Sequence, residues 1–145
     1  MPIEFQLHPR LESDTFFLGS LPLCRVHLMN EARYPWLILV PQRAGLEEIL
    51  DLDEPEKVNL IEEISLVSAR LKAVTQPDKL NVASIGNLVP QLHVHIVARF
   101  KMDAAWPNPV WGRSPPEPYT AQGFHQMKDQ LSLMSLPNFS ACART

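Results

Sequence analysis

The sequence predicts an α+β domain: a mostly antiparallel sheet, one long helix packed on it, and a second helix near the carboxy terminus. Three observations carry this. Short apolar runs separated by turn residues continue up to Pro41, one long amphipathic stretch follows, and Gln91–Ile96 alternates strictly between polar and apolar. At 145 residues and 46% hydrophobic composition, the chain can bury one core.

The elements follow in order. His8 to Asp14 is polar and reads as a turn. Thr15–Ser20 is aromatic and apolar, suited to a first strand, and Leu23–Met29 pairs with it through a tight Gly19–Pro22 connection. Trp36–Pro41 is a continuous apolar run of strand length, which predicts a buried central strand. Pro55 to about Thr75 predicts the long helix: Asp53 is a cap candidate, acids fill the first turn and the proline comes early. Leu60, Ile61, Ile64, Val67, Leu71 and Val74 form its apolar stripe, with Glu62, Glu63, Arg70 and Lys72 elsewhere. Lys79–Ile85 is a strand, Ile85–Pro90 a turn, and Gln91–Phe100 the strand it feeds. Phe124, Met127, Leu131 and Met134 predict a helix from Thr120 to about Leu136, and the polar tail beyond Pro137 is expected to fray.

Composition narrows the function classes. A net charge of −3 argues against a partner that is a nucleic-acid polymer. Two cysteines make no disulfide framework, no apolar run is long enough for a bilayer, and the start is not signal-like, so no membrane partner and a cytoplasmic location are expected. Of the 14 prolines, many lie between Trp106 and Tyr119, which predicts an extended segment there. Trp106 and Trp111 within it are candidates for a stiff aromatic wall at a pocket or a subunit contact.

The chemistry concentrates on the alternating strand. Period-two geometry puts Gln91, His93 and His95 on one face, with Leu92, Val94 and Ile96 on the other. Gly86 and Asn87, just before, offer exposed backbone N–H groups suited to an anion. Two histidines two apart admit three readings: half-buried residues satisfied locally, metal ligands, or a nucleophile with its hydrogen-bonding partners. A metal needs a third and usually a fourth ligand, which only His8, His27 or His125 could bring through the fold. A nucleophilic imidazole needs donors around phosphoryl oxygens and a partner fixing its tautomer, and Asn87, Gln91 and His95 are of the right kind. The residues alone leave all three open.

Gln91-Leu92-His93-Val94-His95-Ile96-Val97 closely resembles the signature of the histidine triad (HIT) family, three histidines alternating with apolar residues. The similarity runs from about Thr15 to Gly112. Asn30 precedes a proline-containing loop and the Leu37–Pro41 strand; the Asp53–Thr75 helix, the Leu80–Val82 strand, the Gly86–Asn87 turn and Trp106–Pro107 come in the family's order. The resemblance implies a HIT-like fold over residues 1–112, with 113–145 as an extension packed on the same domain. It implies a homodimer that binds a nucleotide substrate, with dinucleoside polyphosphates the leading class, and neither a metal nor another cofactor. Carried over, His93 is the nucleophile that forms a nucleotidyl-histidine, His95 a phosphate-side partner, Asn87 and Gly86 phosphate contacts, and Asn30 a ribose contact.

The first triad position is Gln91, and Leu88 stands where many members carry a small hydroxyl residue. Glutamine donates and accepts hydrogen bonds but carries no proton at neutral pH. If that position orients phosphate, Gln91 serves; if it shuttles protons, the protein becomes a nucleotide binder with little turnover. A metal-binding role for His93 and His95 is the third reading. Arg99 is expected as a solvated surface arginine, Asn81 as structural, and His8, His27 and His125 as ordinary histidines at the surface or half-buried.

Overall fold

Each predicted strand forms close to where its apolar run lies. In the computed structural model, which describes residues 3–113 and 115–142, β1 (Thr15–Ser20), β2 (Cys24–Met29), β3 (Trp36–Pro41), β4 (Lys79–Ala83), β5 (Val94–Arg99) and β6 (Ser140–Ala141) make one sheet in the order β4-β5-β3-β2-β1-β6. Every pairing is antiparallel. The helices are α1 (Pro9–Asp14), α2 (Glu54–Thr75) and α3 (Ala121–Leu131). No described helix is long and apolar enough to cross a membrane.

Both faces of the sheet are covered, which is why β3 and β5 are buried along their whole length. Val26, Leu28, Leu37, Leu39, Val94, Ile96 and Ala98 face a core completed by Leu60, Val67 and Leu71 of α2 and Leu131 of α3. Trp36, Ile38, Val40 and Val97 face a second cluster closed by Leu11, Tyr34, Val89, Ala105 and Val110, with Phe5, Leu7 and Trp111 at its margin. The histidines lie on this second side.

Helix α2 starts where Asp53 accepts the Glu56 N–H at 2.9 Å and stops at Gln76, in the left-handed conformation. Its stripe differs from the expectation at two positions. Ile61 is 60% exposed, whereas Glu63 is buried and its two carboxylate oxygens accept the N–H groups of Leu23 and Cys24 at 2.8 Å each. Helical spacing alone ranks the isoleucine above the glutamate. The β1–β2 turn reverses that order, because its two orphaned donors need a buried acceptor.

Three further expectations about the elements are corrected. The polar stretch before β1 is helix α1, with Pro9 in its first turn and the His8 ring accepting the Arg10 N–H at 3.1 Å. The second helix stops at Leu131; after Ser132 a short 3₁₀ turn, Leu133–Ser135, leaves Met134 exposed. The tail beyond Pro137 does not fray up to Cys142: β6 pairs with Gly19 and Ser20, and the Cys142 N–H reaches the Leu18 carbonyl at 3.1 Å. Residues 114 and 143–145, also read as extension and frayed tail, lie outside the described residues.

Arg99, expected in solvent, is 1% exposed. Its guanidinium bonds Asp103 at 2.8 and 3.1 Å, Asn81 at 2.8 Å and the Asn108 carbonyl at 2.8 Å. Burial pushes the Asp103 carboxyl upward, but Arg99 and the N–H groups of Phe100, Trp106 and Ala105 prevail and hold it down to about 2. This ion pair fixes the loop that carries Trp106 and Trp111. Asn81 is thereby structural, as expected.

A Cβ on Gly19 would fall within contact-breaking range of the Phe139 ring and the Ser140 carbonyl, so β6 can dock only on a glycine there. Gly19→Ala is expected to cost about 1–3 kcal/mol, the range for overpacking. It should also abolish exchange protection at the Cys142 amide while β2 and β3 stay protected. Hydrogen-exchange mass spectrometry reads both.

Candidate active site

The ladder of β5 begins at Val94, so Gln91, Leu92 and His93 form the approach to the strand rather than part of it. His93 and His95 still come together. Their ring centroids are 4.8 Å apart, they are 5% and 7% exposed, and both line a cavity of about 340 Å³. Gly86, in the left-handed conformation at φ +76°, and the exposed Asn87 form part of the same wall. Arg10, Leu11 and Asp14 of α1 form another part, and Trp111 closes one side.

Two neighbours fix how the imidazoles carry their protons. Trp36 Nε1 lies 3.0 Å from His95 Nδ1, and an indole nitrogen can only donate. His95 Nδ1 must therefore be the acceptor, which leaves the proton of the neutral ring on Nε2. His93 Nδ1 lies 2.6 Å from the Gln91 carbonyl, which can only accept. Here Nδ1 carries the proton and Nε2 keeps its lone pair. One ring thus offers a nucleophilic nitrogen and the next an N–H donor. Among the described residues, no hydrogen bond occupies Nε2 of either ring.

Both rings are held neutral. Burial, then the neighbouring His93, pushes His95 down to about 3. Burial lowers His93 from its ordinary value, the Gln91 carbonyl opposes this, and His8 adds to the lowering. Trp111 stands edge-on to His95 at 5.3 Å and to Trp36 at 5.9 Å, so indole surfaces replace water around the pair.

Leu88 also lines this cavity, whereas Gln91, Asn30 and His27 fall outside it. The Gln91 side chain does not line it; its amide bonds the backbone of Gln6 and His8. Asn30 lines a neighbouring cavity of about 470 Å³, and its Oδ1 accepts the Tyr119 N–H at 2.8 Å. The two cavities share Arg10, Asp14, Met29, Trp111 and Gly112. His27, expected at the surface or half-buried, is 1% exposed on β2 and bonds Thr15 at 3.0 Å. No group of three or more His, Cys, Asp or Glu among the described residues could hold a metal ion.

Sequence reasoning missed Trp36 as the residue that sets the His95 tautomer and missed α1 as a wall. The first leaves no local signal, since Trp36 reads only as the apolar start of β3. The second does leave one: His8-Pro9 before a polar turn-length run is a cap followed by an N-terminal proline.

The HIT domain model matches residues 10–102, and the chain belongs to the HIT domain family. A histidine triad protein from Bradyrhizobium japonicum is 50% identical, with a TM-score of 0.87 over 89% of this chain and 96% of its own. One from Marinobacter aquaeolei VT8 is 45% identical, with a TM-score of 0.88 over 90% and 95%. A bis(5'-adenosyl)-triphosphatase from Saccharomyces cerevisiae is 31% identical over 72 residues, or 46% of this chain and 35% of the yeast protein's length. The match to that curated relative thus spans about a third of it.

Two expectations follow from the proton positions. Side-chain ¹⁵N spectra should show a proton on Nδ1 of His93 and on Nε2 of His95, and His95 should stay neutral down to about pH 3. Folding stability should also fall on the acid side. His27 is lowered to about 4 by burial and then by Arg25, and an added proton would sit on an Nε2 that has no partner. Below the ordinary value of 6.5 the unfolded chain binds protons that folded His27 and His95 do not, so stability is fully present above about 6.5 and declines as pH falls from there toward 4. Urea midpoints across that range measure the slope, which should flatten in His27→Asn.

Proposed function

We propose that the protein is a nucleotidyl hydrolase or transferase acting on the α-phosphate of a nucleoside phosphate anhydride, ester or phosphoramidate, with dinucleoside polyphosphates as the leading substrate class. The observation that carries this reading is the complementary proton placement on the two rings: a lone pair on His93 Nε2 beside an N–H on His95 Nε2. Family membership supports nucleotide binding and phosphoryl chemistry in general. The yeast relative's name points to the dinucleoside polyphosphate class.

In the reaction so read, His93 Nε2 attacks the α-phosphorus and the bond to the leaving group breaks. The leaving group departs with the electron pair and takes a proton from solvent. The imidazole becomes positive as it bonds phosphorus, and the Gln91 carbonyl on its Nδ1–H stabilises that charge. His95 Nε2–H donates to a non-bridging oxygen, with backbone N–H groups around Gly86 and Asn87 as further donors. Water or another acceptor then attacks phosphorus and loses a proton to solvent, the P–N bond breaks, and its electron pair returns to His93 Nε2.

A second reading, a binder with little turnover, is favoured by one observation: the Gln91 amide is occupied elsewhere and supplies no third proton carrier at the cavity. Metal-free assays of diadenosine triphosphate and an adenosine phosphoramidate discriminate the two. Wild type should cleave at least one, and His93→Ala should lower kcat at least about a thousandfold, the scale on which a lost nucleophile is felt. Trp36→Phe should lower kcat about tenfold by freeing His95 to take the other tautomer. Thermal stabilisation by AMP with no turnover of either substrate would instead identify the binder.

A homodimer belongs to the same reading. Edge strand β4 is open to pairing and exposes Val82, and α2 exposes Val58 and Ile61.

A further inference from the structure

The Gln91 carboxamide behaves as a piece of backbone. Its Oε1 accepts the His8 N–H at 2.8 Å and its Nε2 donates to the Gln6 carbonyl at 2.8 Å, as the peptide group of a neighbouring strand would. The segment so held runs directly into α1 through His8, whose ring caps the helix at the Arg10 N–H. At six residues α1 is too short to be stable alone, so its place depends on what ties down its ends. The same residue holds the opposite wall, because its own carbonyl fixes the His93 tautomer.

What the tether brings to the cavity is charge. Arg10 is the one arginine or lysine on the wall of the histidine cavity among the described residues, and it also lines the neighbouring cavity. Its pairing with Asp14 is 3.4 Å long and solvent-exposed on both sides, which leaves guanidinium donors to spare for an anion. His8 bonds the Gln91 side chain and His93 bonds the Gln91 carbonyl, so one residue ties the amino-terminal segment to the nucleophile.

We propose that Gln91 is a positioning residue: its carboxamide fastens the amino-terminal segment, and through it helix α1, across the histidine cavity so that Arg10 meets the anionic part of the substrate. This rests on the nucleotidyl-transfer reading for its substrate, but its geometry has its own readout. The Gln91 side chain acts through Arg10 and does not touch the reacting atoms.

The test compares wild type, Gln91→Glu, Arg10→Gln and the double variant by hydrogen exchange, AMP affinity and steady-state kinetics. In Gln91→Glu an oxygen without a proton faces the Gln6 carbonyl. Exchange at His8 and in α1 should quicken, and KM and the AMP Kd should rise about tenfold, the loss of one charge-assisted contact, while kcat changes little. Arg10→Gln should weaken binding as much with the segment still protected, and the double variant should bind no worse than Arg10→Gln alone. Unchanged exchange in Gln91→Glu overturns the proposal. So does a fall in kcat without a change in KM or AMP affinity, or a double variant with additive penalties. Wild type that binds AMP without turnover ends the enzymatic reading, yet the coupling of Gln91 to Arg10 is then still decided by exchange and affinity. Wild type that neither turns over nor binds nucleotide overturns both.

Discussion

The hydrogen bond from Trp36 to His95 is the interaction on which the rest of the site depends. A neutral imidazole has one N–H, and which of its two distinct ring nitrogens carries it is set by the neighbour that bonds the other. Indole supplies a donor with no acceptor capacity, so it assigns the lone pair of His95 to Nδ1 without ambiguity. A hydroxyl or a water in the same place could serve either tautomer. Because Trp36 opens β3 and His95 lies on β5, the assignment is made by strand pairing: Ile38 stands opposite His95, and Trp36 opposite Val97. Slipping that register by one residue would turn every side chain of the strand to the other face.

Burial then converts a geometric choice into an electrostatic one. Removing two imidazoles from water disfavours the cation, and their closeness disfavours it further, so neither ring spends its lone pair on a proton at neutral pH. The same desolvation would be idle without walls to maintain it. Those walls come from segments with little regular structure, held by specific polar contacts: Arg99 and Asp103 pin the loop that ends in Trp111, and Glu31, paired with Arg33, accepts the Glu117 N–H. Charge buried in the frame thus holds the walls that keep water from the two rings.

Much of this was legible in the sequence wherever one element decides its own structure. The strand runs, the capped start of α2 and the His93–His95 pair follow from period, capping chemistry and apolar content within a few residues. What stayed illegible was set by partners distant in the chain. Arg99 reads as a surface arginine because its acceptors lie at Asn81, Asp103 and Asn108 and only the fold gathers them. Glu63 reads as a solvent-facing helix residue because the N–H groups it satisfies belong to Leu23 and Cys24. The tail reads as frayed because the groove that receives Phe139 exists only where Gly19 lacks a side chain.

Gln91 combines both lessons. Alternation from Gln91 to Ile96 places it with the histidines, and that inference holds only for residues already in the ladder, which starts at Val94. Freed of the pleat, its side chain answers to another need. A carboxamide presents a donor and an acceptor side by side and nearly parallel, the arrangement that matches the Gln6 carbonyl and the His8 N–H. The two ring nitrogens of an imidazole diverge and cannot address both groups of an extended segment at once. A histidine at this position could therefore supply a titratable proton or a single contact to the segment, but not the paired bonds that hold it. The departure from three histidines thus matches the presence of an amino-terminal segment that forms one wall of the cavity.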